Sequence, residues 1–206
     1  MSRAAQAGLL GRGPWFWAIL FCIASVAISV LAATGAIEGP DAILVLLVVP
    51  IGLLGAVVVA AQKRIGAGAT KPQGLAQTRY VKRVAIFTSL YLAAFAAMTF
   101  ADRAFAVPLP ARFALALLPG LAVCGVFWAI ARLIIEEQDE FLRMLTIRQT
   151  LVASAFALSA ASIWGFLEAA DLVMHLDAYW VAMAWFFGLL VGAVVNRIEH
   201  GTWGAA

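Results

Sequence analysis

The stretch FALALLPGLAVCGVFWAIARLII, residues 113–135, decides the fold. Its one charged residue is Arg132, close to its end. A helix needs about 20 mostly apolar residues to cross about 30 Å of hydrocarbon. This run is long enough, and it keeps charge out of its middle. A charged side chain at mid-bilayer costs at least about 2.5–3.5 kcal/mol. Five further runs meet the same requirement: Trp15–Ala33, Ala42–Ala61, Val84–Ala101, Thr150–Leu167 and Ala178–Val195. The sequence therefore predicts an all-α, polytopic transmembrane bundle of six spans.

Composition agrees. Of the 206 residues, 65% are apolar and 12% charged, against about 45–50% and 25% in a soluble domain. A soluble fold of this size cannot hide so much apolar surface, so the environment is a lipid bilayer. The net charge of +3 reflects basic residues gathered in particular loops, which has a membrane explanation, and no nucleic-acid partner is expected. Cys22 and Cys124 both lie in apolar runs and form neither a disulfide framework nor a CxxC motif.

The connections carry polar signals. EGPD (38–41) separates the first two runs, with Asp41 placed to cap the second helix. QKRIGAGATKPQG (62–74) reads as a flexible basic loop, and VPLPAR (107–112) as a turn. Asp177 is placed to cap the sixth helix, with Tyr179 and Trp180 at the depth of the interfacial aromatic belt. The first run follows Arg3 and Arg12, as a signal peptide would. Its roughly 19 apolar residues exceed the 7–15 of a signal h-region, so a retained span is expected.

Orientation follows from Lys and Arg. With a cytoplasmic N-terminus, the inner segments hold 12 of them and the outer loops only Arg103 and Arg112. The six spans then form three in-out-in hairpins with both termini cytoplasmic. The expected divisions are an N-terminal hairpin (1–64), a basic cytoplasmic loop (65–82), a four-helix unit (83–198) and a short tail (199–206). Arg83 and Arg132 are 49 residues apart, as are Arg148 and Arg197. This spacing fits a duplicated hairpin, and equally the ordinary length of any two-span hairpin.

Small residues let helices approach closely in lipid, where the hydrophobic effect no longer drives helix pairing. Helix six carries Ala184, Gly188, Gly192 and Asn196 at fourfold spacing. Helix five carries Ala153, Ala157, Ala161, Gly165 and Ala169; helix three carries Ala85, Ser89, Ala93, Ala97 and Ala101. Helices five and six are expected to pack through these faces. Pro50 and Pro119 are expected to kink helices two and four, as packing bends or as breaks beside a substrate site.

Chemistry has few places to sit. No span has a central Lys for a retinal Schiff base, and His175 and His200 both lie outside the span centres, so no axial haem pair exists. No cofactor is expected. Glu168, Asp171 and His175 would share one face of a continuing helix, and could bind a divalent metal or exchange a proton. A solvated helix end explains them as well. IIEEQDEFLRM (134–144) holds Glu136, Glu137, Asp139 and Glu140. It reads as an amphipathic helix running from span four into span five, with Asp139 and Arg143 an i,i+4 pair and Arg143 and Arg148 within reach of lipid phosphate. It is a solvated connector, a docking patch for a basic partner, or a cation site.

Within that stretch, DEFLRML resembles the D-E-x-x-R signature of a group of small, uncharacterised bacterial membrane proteins. There an Asp-Glu pair and an Arg sit on a connector ahead of a span rich in small residues. Asp139, Glu140 and Arg143 match, and the resemblance covers roughly residues 80–198. Leu142 and Met144 depart from it, as does the additional N-terminal hairpin. It implies an architecture and a bacterial inner membrane, not a reaction.

The expected role is a non-enzymatic accessory or scaffolding subunit, in contact with other membrane proteins or a second copy through Asp139, Glu140 and Arg143. One alternative is a small transporter or channel for a neutral or weakly polar solute, using the segments near Pro50 and Pro119. The other is a membrane enzyme built on Glu168, Asp171 and His175.

Overall fold

A computed structural model describes residues 9–33, 40–68, 73–104 and 107–202. Its six helices are α1 (Pro14–Ala33), α2 (Pro40–Gly68), α3 (Gln73–Ala104), α4 (Leu109–Glu136), α5 (Glu140–Ala169) and α6 (Tyr179–His200). No strand occurs among the described residues, which hold one isolated bridge, Leu9 to Arg12. An all-helical fold is what lipid demands, because each helix satisfies its own backbone N–H and C=O groups.

Five of the helices, α2 to α6, contain stretches long and apolar enough to cross a membrane. The fully described part of α1, Pro14–Ser25, is apolar but shorter than a span. Asp41, the expected cap of α2, lies outside the residues whose side chains are described. The loop expected over 65–82 is largely helix: α2 continues to Gly68 and α3 begins at Gln73. Apolar runs mark only the part of a helix that lies in hydrocarbon. Lys63, Arg64, Arg79 and Lys82 are exposed on the helical extensions beyond the uncharged runs Ala42–Ala61 and Val84–Ala101. Thr78 Oγ1 returns a hydrogen bond to the Gly74 carbonyl, 2.7 Å away, within the first turns of α3.

Pro50 and Pro119 are buried, and both lie inside uninterrupted helices. Proline deprives the carbonyl four residues earlier of its donor, yet neither helix breaks there.

The chain forms two compact units, Met1–Leu133 and Ile134–Ala206. The division falls near the end of α4, not in the basic segment. In the first unit α1 packs on α2 and α2 on α3. Phe87 of α3 lies against Gly125 of α4, where a Cβ would fall 2.1 Å from its ring. The Phe87 ring meets Trp128 edge-on, with centroids 6.0 Å apart. The buried set is mostly alanine: Ala60, Ala61, Ala76, Ala94, Ala96, Ala122 and Ala129. Ile86, Leu90, Phe95, Leu121 and Trp128 are exposed. Small residues inside and large ones outside is the pattern of helices that pack in lipid. On α3 burial falls on Ala76, Ala94 and Ala96, while Ala93 and Ala97 of the expected stripe are exposed. An alanine-rich helix offers several such faces, and spacing alone does not choose among them.

The second unit is the α5–α6 hairpin and the junction that leads into it.

Candidate functional site

The junction between α4 and α5 is assembled from three side chains. α4 ends at Glu136 and α5 starts at Glu140. Glu137 is 1% exposed. Its Oε1 accepts the backbone N–H groups of Gln138 (3.1 Å) and Asp139 (3.2 Å). Asp139 adopts an extended backbone and caps α5, with Oδ1 accepting the N–H groups of Phe141 (2.9 Å) and Leu142 (3.2 Å). This satisfies donors that the first helical turn leaves orphaned. Arg143 reaches back, and both Nε (3.1 Å) and Nη2 donate to the Glu137 carbonyl.

Two of the residues read as connector, docking patch or cation site, Asp139 and Arg143, therefore hold the junction together. Asp139 precedes the helix instead of sitting on it, so Asp139 and Arg143 are not an i,i+4 pair on one continuous helix. The break also separates Glu136 from Glu140. Of the three matched residues, Glu140 alone is exposed without a bond to the junction; it stands in the first turn of α5, where its charge complements the helix dipole.

Glu137 was not singled out in the sequence, although a signal exists. The buried residues of α4 include Val126, Ile130 and Leu133, and one further step of four reaches Glu137. Its Oε2 is buried and finds no hydrogen-bond partner among the described residues.

Along the α5–α6 hairpin, each step of four down one helix meets a step of four up the other. Asn196 Nδ2 donates to the Leu145 carbonyl at 3.1 Å. Gly192 faces Gln149, where a Cβ would lie 2.9 Å from the Gln149 oxygen. Gly188 faces Ala153, with a Cβ position 2.7 Å from its Cα. Ala157 is buried one step further on, and Ala184, at the matching step of α6, is half-buried. Gln149 Nε2 donates to the Leu189 carbonyl at 2.9 Å, so each helix sends one amide to the other's backbone. Trp185 Nε1 donates to Ser154 Oγ at 3.0 Å. Burial fades beyond Ala157, since Gly165 and Ala169 are exposed. At the end of the hairpin nearest the junction, Arg148 pairs with Glu199 and lies 2.9 Å from His200 Nε2, and the Phe141 ring meets His200 edge-on. Arg148, expected to reach lipid phosphate, is thus held by α6.

At the other end the expected continuing helix stops. α5 ends at Ala169, and Asp171 takes a left-handed backbone, φ 58°. The spacing of three and four therefore no longer places Glu168, Asp171 and His175 on one face. His175 Nδ1 lies 2.5 Å from Glu168 Oε1, and its Nε2 lies 3.9 Å from Asp177 Oδ1. Nitrogen and oxygen ligands of one tetrahedral ion, each about 2.0–2.1 Å from it, sit about 3.3 Å apart. The shorter contact is that of a hydrogen bond. Among the described residues no three His, Cys, Asp or Glu side chains gather as metal ligands. Hydrogen bonding to Glu168, then the charge of Glu168, raises the His175 pKa above its ordinary value, with a smaller contribution from Asp177. Trp164 Nε1 donates to the Met174 carbonyl at 3.2 Å and ties the loop to α5. Asp177 serves α6 through its backbone, its carbonyl accepting the Trp180 N–H at 3.0 Å; no side-chain cap is formed.

Comparison with family models, with curated proteins and with solved structures returns no match.

Proposed function

We propose that this chain is a non-enzymatic accessory or scaffolding subunit of the bacterial cytoplasmic membrane. In this reading it crosses six times and keeps both termini in the cytoplasm. The observation that carries the reading is how little the spans bury one another. Only 11% of the apolar stretch is buried in α3 and again in α5, and Phe95, Ile163, Phe166 and Ile198 stand exposed. Such helices offer long apolar flanks to lipid and to the helices of a partner or a second copy. The polar side chains of the junction and the hairpin support the same reading, because most of them bond to backbone or to one another within the chain. Asp139 and Arg143 then shape the connector, and Glu140 is the residue left to present to a basic partner.

Purification in mild detergent tests this. A membrane protein recovered with the chain at fixed stoichiometry, or a stable homo-oligomer, is the expected result. A chain that stays monomeric and alone across several mild detergents and in native membrane discs would sink the proposal.

A further inference from the structure

The cations of the two units are balanced differently. In the second unit Arg143 is held by the Glu137 carbonyl, Arg148 by Glu199, and Arg197 by the Gly201 carbonyl. In the first unit no acidic residue occurs between Asp41 and Asp102, yet that interval holds Lys63, Arg64, Lys71, Arg79, Lys82 and Arg83. Lys63, Arg64 and Lys82 are exposed. They sit on two helices that pack together, α2 and α3. Counted at about 1.5 Å per residue from the facing helix ends, Lys63 and Lys82 differ in level by only about 6 Å. Both adjoin the uncharged apolar runs of their helices, Ala42–Ala61 and Val84–Ala101, and cations so placed can reach the phosphates of a bilayer. Arg83 lies 5.2 Å from the centre of the Trp128 ring, so an indole, the side chain favoured at that depth, adjoins the basic residues.

We infer that Lys63, Arg64 and Lys82, at the adjoining ends of α2 and α3, bind the phosphate headgroup of an anionic phospholipid. Charge complementarity selects the partner: three exposed cations, with the hairpin's acidic residues, Asp41 and Asp102, at the opposite ends of α2 and α3, face a layer of phosphodiesters. Each Lys or Arg near an anionic surface contributes about 1 kcal/mol, within a Debye length. An acidic protein would present carboxylates in water, whereas these cations lie within two residues of the uncharged apolar runs, Ala42–Ala61 and Val84–Ala101, or, for Arg64, within three. The inference rests on the bilayer environment, not on the proposed subunit role or on which side the termini lie.

The test uses the full chain in nanodiscs, whose two leaflets are equivalent, so insertion orientation does not enter. Tryptophan quenching by brominated phosphatidylglycerol is compared with quenching by brominated phosphatidylcholine. The expected result is a preference for phosphatidylglycerol of about fivefold or more, falling as salt rises. K63Q/R64Q/K82Q should bring the ratio near one, and K63R/K82R should preserve it. Circular dichroism confirms that each variant is helical. If inorganic phosphate abolishes the preference when chloride at equal ionic strength does not, the site takes free phosphate and the lipid assignment fails. Equal quenching by the two lipids, or a full preference in the triple-Gln protein, overturns it as well.

Discussion

Asp139 separates two accounts of the acidic connector. Its carboxylate accepts two N–H groups at the start of α5, so Asp139→Ala should destabilise the protein by about 0.5–2 kcal/mol. Asp139→Asn keeps an acceptor oxygen and should cost little, although it removes the charge. Thermal unfolding in detergent distinguishes them: equal losses for Ala and Asn would mean that charge matters and capping does not. His175 gives a second residue-level test, through pH. Its folded pKa is raised by the Glu168 hydrogen bond and charge above the ordinary 6.5. The stabilisation is therefore fully present below the unfolded pKa and is lost as pH rises through the folded one. Histidine NMR, assigned with His200→Gln, should place the His175 midpoint above 6.5, and Glu168→Gln should lower it. A midpoint unmoved by that substitution would contradict the pairing. Asp139, Glu140 and Arg143 were legible as a group in the sequence, but their work was not. A cap and a helix interior share the same spacing, and only the break after Glu136 tells them apart.

At the scale of the element, the α5–α6 seam depends on backbone proximity. A Cβ on Gly188 would lie 2.7 Å from the Ala153 Cα, and backbone cannot step aside as a flexible side chain can. Gly188→Leu or Gly192→Leu should therefore cost about 1–3 kcal/mol each by forcing the helices apart. Gly165 is the internal control, since nothing lies within 4 Å of its Cβ position. Gly165→Ala should leave the hairpin intact and stabilise α5 by about 0.5–1 kcal/mol, through restricted backbone freedom. Unfolding in detergent that treats Gly188→Leu and Gly165→Ala alike would refute the seam. The sequence marks this seam because Gly188, Gly192 and Asn196 are rarer choices than alanine. On α3, where alanine serves on several sides, none of the fourfold stripe is fully buried: Ala85, Ser89 and Ala101 are half-buried, and Ala93 and Ala97 are exposed. Spacing identifies a packing face only where the residues differ in size from their surroundings.

For the whole molecule, the number of helices was legible because six apolar runs stand clear of charge, while the length of the helices was not. The helices outrun the apolar runs that reveal them, α3 and α5 most of all. Crossing number bears directly on topology through α1. If α1 crosses, Lys and Arg divide 12 inside to 2 outside; if it does not, Arg3 and Arg12 move out and the division is 10 to 4. Both leave the C-terminus cytoplasmic and both obey the positive-inside rule. A reporter fused after Ala206 thus tests the orientation of α2 to α6, and the N-terminus must be probed separately. A periplasm-dependent reporter after Ala206 should be silent. A cysteine placed at Ser2, in a chain with Cys22→Ala and Cys124→Ala, should resist a membrane-impermeant maleimide in intact cells and react after lysis. Labelling in intact cells with a silent C-terminal reporter would leave five crossings. An active C-terminal reporter would invert the orientation altogether, carrying Lys63, Arg64 and Lys82 to the opposite leaflet.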